Sequence, residues 1–222
     1  MLFDLRSRGR RRTVQGVYLG LALLMGLGLV LFGVGAGNGI GGLLNAFTGS
    51  GSSNNGNQAV SQQEQSALKA VKASPNSPTA WAQLVQARYT AAGEGSDFNT
   101  TTDTFTASGK RELNRALADW QHYLTLTKSP DPNLAILAAR GYGALGNFGG
   151  EASAWEVETV ADPTALTGFE CMAASAFAAG QTDKGDLALN KALSMAPKAQ
   201  QTTIKSQVTA AKTNHSIVTQ SC

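Results

Sequence analysis

The sequence predicts an all-α protein: a solenoid of helix-turn-helix pairs standing behind one membrane-spanning helix and a flexible linker. Three observations carry that expectation. Thr13 to Gln63 contains no Asp, Glu, Lys or Arg, and a continuous apolar run lies inside it. After about residue 58 apolar residues recur at three- and four-residue spacings, without the strict alternation of strands. The chain also resembles itself at a shift of 34 residues.

The charge sits at one end. Arg6, Arg8, Arg10, Arg11 and Arg12 fall in a leader of residues 1–12, opposed only by Asp4. The other 13 Lys and Arg face 14 Asp and Glu, so the net charge of +3 and the pI near 8.9 belong to the leader. A near-neutral body offers no basic face, which excludes nucleic acid as the expected partner.

Within residues 13–36, Val14 to Ala36 reads VQGVYLGLALLMGLGLVLFGVGA. As a helix this run is roughly 34 Å long at about 1.5 Å per residue, enough for a hydrocarbon core of about 30 Å. A cleaved signal peptide is the alternative, with Val34-Gly35-Ala36-Gly37 as a small-residue exit. The run exceeds the roughly 7–15 residues of such signals, so a retained single-pass anchor in the cell membrane is expected. The leader arginines place the N-terminus in the cytoplasm and everything after residue 36 outside it. Gly16 and Gly20 make a GxxxG step that can bring two such helices together as a weak homodimer. Residues 37–57 are a Gly/Ser/Asn tract too poor in apolar residues to order itself, and are read as a flexible linker.

The body, 58–213, divides into helical segments 59–73, 78–92, 109–127, 132–145, 149–161, 165–179, 182–195 and 199–213. Pro75, Pro78, Pro130, Pro132, Gly146, Pro163, Gly180 and Pro197 punctuate them. A shift of 34 carries Ala139 onto Ala173, Gly146 onto Gly180, Trp155 onto Leu189 and Pro163 onto Pro197. Each unit is a helix, a Gly-centred turn, a second helix and a Pro. An earlier unit begins at Pro78, with Trp81, Leu84 and Ala87 in its first helix and Ala116, Trp120 and Tyr123 in its second.

These residues resemble the tetratricopeptide (TPR) repeat over roughly 78–197, with 59–73 as a degenerate opening helix. Gly185 departs from the pattern, standing where the second helix usually has Ala. In 199–213, Ile204 and Val208 point inward and Lys205 and Lys212 outward, as in the polar cap that stacked repeats need. The resemblance implies that first helices line a groove for protein or peptide segments. Its open positions would be Gln86 and Tyr89, then Ile136 and Arg140, then Glu170, Ala174 and Phe177. A single N-terminal anchor with an exported repeat domain further resembles accessory subunits of the secretion translocon that receive emerging chains. The expected function is therefore a membrane-anchored interaction scaffold, chaperone-like, serving secretion or envelope assembly.

The first unit is split by Ala92 to Ser108, a polar Gly/Thr/Asp stretch read as a structureless loop. The second functional reading, a regulatory or enzyme-associated envelope-processing protein, places the activity in 93–108. Asn99-Thr100-Thr101 and Asn214-His215-Ser216 are sequons that matter only in a secretory cell.

Catalytic chemistry is not expected. His122 and His215 have no Cys or carboxylate at a metal-ligand spacing, so no metal is expected. No phosphate-binding loop or other cofactor motif is present. Glu156 and Glu158 are two apart and point to different helix faces, which does not make an acid–base pair. Trp81, Trp120 and Trp155 read as repeat core. Cys171 lies in a helix and Cys222 in the tail 214–222, which reaches about 30 Å when extended at roughly 3.3 Å per residue. Outside the cytoplasm the two can pair; otherwise one is a buried and one a free thiol.

Overall fold

A computed structural model describes the backbone of residues 53–222 and the side chains of residue 60 and of 62–222. The leader, the expected span at 13–36 with Gly16 and Gly20, and the linker up to residue 52 lie outside the described residues. Among the described residues no helix is long and apolar enough to cross a membrane.

The described residues are all-α in character, with helices α1 (Ser53–Ala73), α2 (Pro78–Ala92), α3 (Ala107–Leu126), α4 (Pro132–Ala144), α5 (Phe148–Ala161), α6 (Leu166–Ala178), α7 (Thr182–Met195), α8 (Lys198–Ala210) and α9 (Ser216–Ser221). Helix starts follow local chemistry. Ahead of α2, Ser77 Oγ accepts the Ala80 N–H at 3.3 Å, with Pro78 in the first turn. Ahead of α4, Asp131 Oδ1 accepts the Asn133 N–H at 2.8 Å, with Pro132 in the same role.

Helices α4 and α6 differ by 34 residues at both ends, and so do α5 and α7. Their connecting turns share one hydrogen-bond pattern. Gly146 and Gly180 adopt φ of 71° and 73°, the left-handed conformation that only glycine enters freely. The next N–H reaches back in each case, Asn147 to Tyr142 O at 2.9 Å and Gln181 to Ala176 O at 2.8 Å. An aromatic ring of the first helix then sits on a glycine of the second. A Cβ at Gly150 would stand 2.6 Å from Tyr142 Cδ1, and one at Gly185 would collide with the Phe177 ring. The contact with Phe177 explains why Gly185 replaces Ala.

Successive helices pack side by side: α1 on α2, α2 on α3, α4 on α5, α5 on α6 and α6 on α7, while α8 lies against both α6 and α7. Leu134, Trp120, Trp155 and Val85 share one core cluster, and Phe177, Leu189, Ile204 and Val208 another. Burying each such large side chain contributes about 1.5–3 kcal/mol. Trp81 is half-buried rather than interior; its Nε1 donates to Pro75 O at 2.7 Å and its ring meets His122 at 4.2 Å. Arg88 of α2 joins Glu64 of α1 at 3.2 Å and Asp119 of α3 at 2.7 Å, pinning three helices at once.

Three segments differ from expectation. The 93–108 stretch is folded: a 3-10 turn at Gly95–Asp97 leads into a hairpin, β1 (Phe98–Asn99) against β2 (Thr104–Phe105), closed by Phe98 and Phe105 edge to face at 5.1 Å. Two-residue strands are too short to show alternation, so the pattern could not reveal them. Helix α1 begins at Ser53, inside the stretch read as linker, where Ser and Asn suit a helix start. The tail 214–222 contains helix α9 and is docked on the body.

Candidate functional site

The first helices α2, α4 and α6 carry the residues expected to line a groove. Gln86 and Tyr89 on α2 are half-buried, and Tyr89 Cε2 lies 3.7 Å from where a Cβ at Gly141 of α4 would stand. Burial pushes the Tyr89 phenol above its ordinary pKa, and the nearby positive charge of Arg140 works against that rise. Ile136 is half-buried against the first core cluster, and Arg140 is exposed. Glu170 on α6 is half-buried, which raises its carboxyl pKa.

Ala174 and Phe177 are not open positions. They are 4% and 3% exposed, and Lys212 lies 4.1 Å over the Phe177 ring. Helix α8 and the chain's own tail close this end. Val218 of α9 is 0% exposed and joins the same core cluster as Ala173, Ala174 and Phe177. Cys222 is bonded to Cys171 of α6, with Cα atoms 5.6 Å apart. Its backbone O also accepts Arg140 Nε at 3.3 Å. Tail and α8 thus cover positions on α6 that the sequence reading left open.

A cavity of about 680 Å³ lies between the hairpin and the tail, lined by Asp103, Phe105, Lys110, Arg140, Gly143 and Glu151 and, from the tail, by residues 219–222. Its size falls in the range of small-ligand and peptide sites. Lys110 and Arg140 form no ion pair among the described residues. Of the expected site residues Arg140 lines this cavity and holds the tail there, whereas Gln86, Tyr89 and Ile136 lie on α2 and α4 outside its lining and Glu170, Ala174 and Phe177 on α6.

Sequence reasoning missed Glu151. It is 2% exposed on α5, and its Oε2 has no hydrogen-bond partner. Burial raises its pKa to about 7. Ser175 and Trp155 pull the other way, although neither donates to it in normal geometry. A Cβ at Gly143 would stand 2.8 Å from that oxygen, so the glycine leaves the room the carboxyl occupies. Glu158, one heptad further along α5, is 5% exposed and fits against Gly168 of α6; burial and then Asp162 raise it to about 6. A spacing of seven on one helix, with glycines at 143 and 168, was the available signal.

Among the described residues no group of His, Cys, Asp and Glu is placed to hold a metal ion. No protein-family model, curated protein or solved structure matches the chain.

Proposed function

We propose that the chain is a TPR-type interaction scaffold, held by its N-terminal anchor at the outer face of the cytoplasmic membrane, where it takes up segments of other proteins. The recurrence of whole helix pairs at 34 residues carries this reading, because such pairs present successive first helices along one continuous face. Arg140 lines the 680 Å³ cavity and Tyr89 lies close enough to feel its charge, a mixed aromatic and cationic surface suited to a polypeptide. The Cys171–Cys222 bond supports an oxidising compartment outside the cytoplasm. A chaperone-like part in secretion or envelope assembly fits an anchored, exported scaffold.

The second reading, activity residing in 93–108, is favoured by one observation: Asp103 and Phe105 of the hairpin line the same cavity. Affinity capture from detergent extracts separates the two. Wild type is compared with a Tyr89→Ala/Arg140→Ala variant and with a chain whose 98–105 hairpin is replaced by a short Gly/Ser turn. Loss of specific partners from the double variant is expected. Partners that survive it and vanish with the hairpin would overturn the scaffold reading. Phe177 is left intact, since truncating it would empty the core.

A further inference from the structure

We propose that the tail 214–222 is a disulfide-latched occupant of the face on α4 and α6, and that reducing Cys171–Cys222 frees this face for a short helical segment of a partner. The inference rests on the scaffold reading and names its partner class and its control.

The tail is seated as a ligand would be. Helix α9 has six residues, too few to be stable alone, so its order comes from what it touches. It touches little. Val218 is fully buried between α6 and α8, Ile217 is half-buried, and His215 meets Phe148 at 5.2 Å. Thr219, Gln220 and Ser221 are exposed. Against that small contact stands one covalent bond closing a loop across 51 residues, which raises the effective concentration of the tail at its site. Breaking the bond leaves the buried Val218, the half-buried Ile217, the His215–Phe148 contact, the packing of Cys222 and the Arg140 hydrogen bond to hold a segment whose other residues are polar and exposed.

Cys222 is the more accessible residue of the pair, and Cys171 is 2% exposed. The thiolate of a dithiol reductant attacks Cys222 Sγ, and Cys171 leaves as a thiolate that takes up a proton. The second thiol of the reductant then attacks the mixed disulfide, releasing Cys222 as a thiol. The protein gains two electrons and two protons, and the reductant becomes a disulfide.

What the departing tail exposes specifies what can replace it. The pocket of Val218, in the core cluster that also holds Ala174 and Phe177, takes one β-branched side chain, and Arg140 takes a carbonyl or carboxyl oxygen at the end of a helical turn. A partner's short helix with that pattern fits in the manner of helix-in-groove recognition.

The test uses the full chain in detergent micelles, oxidised and then treated with dithiothreitol. Hydrogen exchange is read at the Val218 and Cys222 amides, which donate to His215 O and Val218 O. Reduction, or the Cys222→Ser substitution, is expected to speed their exchange at least tenfold while α4 to α7 keep their protection. A fluorescein-labelled peptide of residues 214–222, carrying Cys222→Ser, is expected to bind the reduced Val218→Asp chain at least tenfold more tightly than the oxidised wild type. Tail amides that stay equally protected after reduction would overturn the latch and leave the scaffold reading standing. Loss of protection in α6 along with the tail would make the bond a structural staple and overturn it likewise. A tail that opens over a face where the peptide does not bind would overturn the partner class proposed for that face and leave the scaffold reading standing.

Discussion

The Oε2 atom of Glu151 occupies the space that a side chain at Gly143 would fill, 2.8 Å from the Cβ position. This fixes the sign of one substitution. Alanine in place of glycine within a helix normally stabilises by about 0.5–1 kcal/mol. Gly143→Ala is expected instead to destabilise by about 1–3 kcal/mol, because a buried carboxyl without a partner must shift. Gly149→Ala is the control: its Cβ would meet Gln181 Nε2 at an ordinary 3.5 Å, so it is expected to be neutral or stabilising. Urea unfolding of both variants checks the contrast.

Glu151 and Glu158 also set a pH dependence. Burial holds their pKa values at about 7 and about 6, against 4.5 for an ordinary glutamate. The folded chain therefore binds more protons than the unfolded one between about pH 4.5 and 7, and stability falls as pH rises through that window. At about 1.36 kcal/mol per pKa unit, Glu151 alone accounts for on the order of 3 kcal/mol. The melting temperature is expected to be higher at pH 5 than at pH 8, and Glu151→Gln is expected to flatten the difference. A melting temperature that rises from pH 5 to 8 would contradict the assignment.

Gly146 and Gly180 do the same work one repeat apart, with open space where each Cβ would go. Only backbone conformation then opposes a side chain. Gly146→Ala and Gly180→Ala are each expected to cost about 1 kcal/mol, by similar amounts, since a left-handed residue costs about 1–2 kcal/mol outside glycine. Unequal costs, read by thermal unfolding, would mean that the two turns are not equivalent.

The 34-residue spacing was legible because its markers, Gly146 with Gly180 and Pro163 with Pro197, are residues whose backbone needs are written in their chemistry. Helix limits from residue 78 to 195 follow the same punctuation and were legible for the same reason. The docked tail was not, because nothing in a polar nine-residue segment announces that Val218 fills a pocket formed by α6 and α8. The cysteines alone carried a hint of it, through reach and compartment. Glu151 was not legible because Glu156 and Glu158, two apart, point to different faces of α5, whereas its packed face joins residues seven apart, Glu151 and Glu158. The hairpin at 98–105 is held by its backbone pairing, by Asn99 Oδ1 accepting the Thr101 and Thr102 N–H groups and by the Phe98–Phe105 contact, over strands of two residues that show no alternation.

The scaffold proposal is most directly tested by photocrosslinking in living cells. A photoreactive residue is placed singly at Gln86 or Arg140, and, as the comparison, at the exposed Val160 and Leu187. The scaffold account predicts that discrete extracytoplasmic or membrane proteins crosslink from 86 and 140 and are absent, or at least tenfold weaker, from 160 and 187. Equal crosslinking from all four positions, or none from 86 and 140, would contradict it.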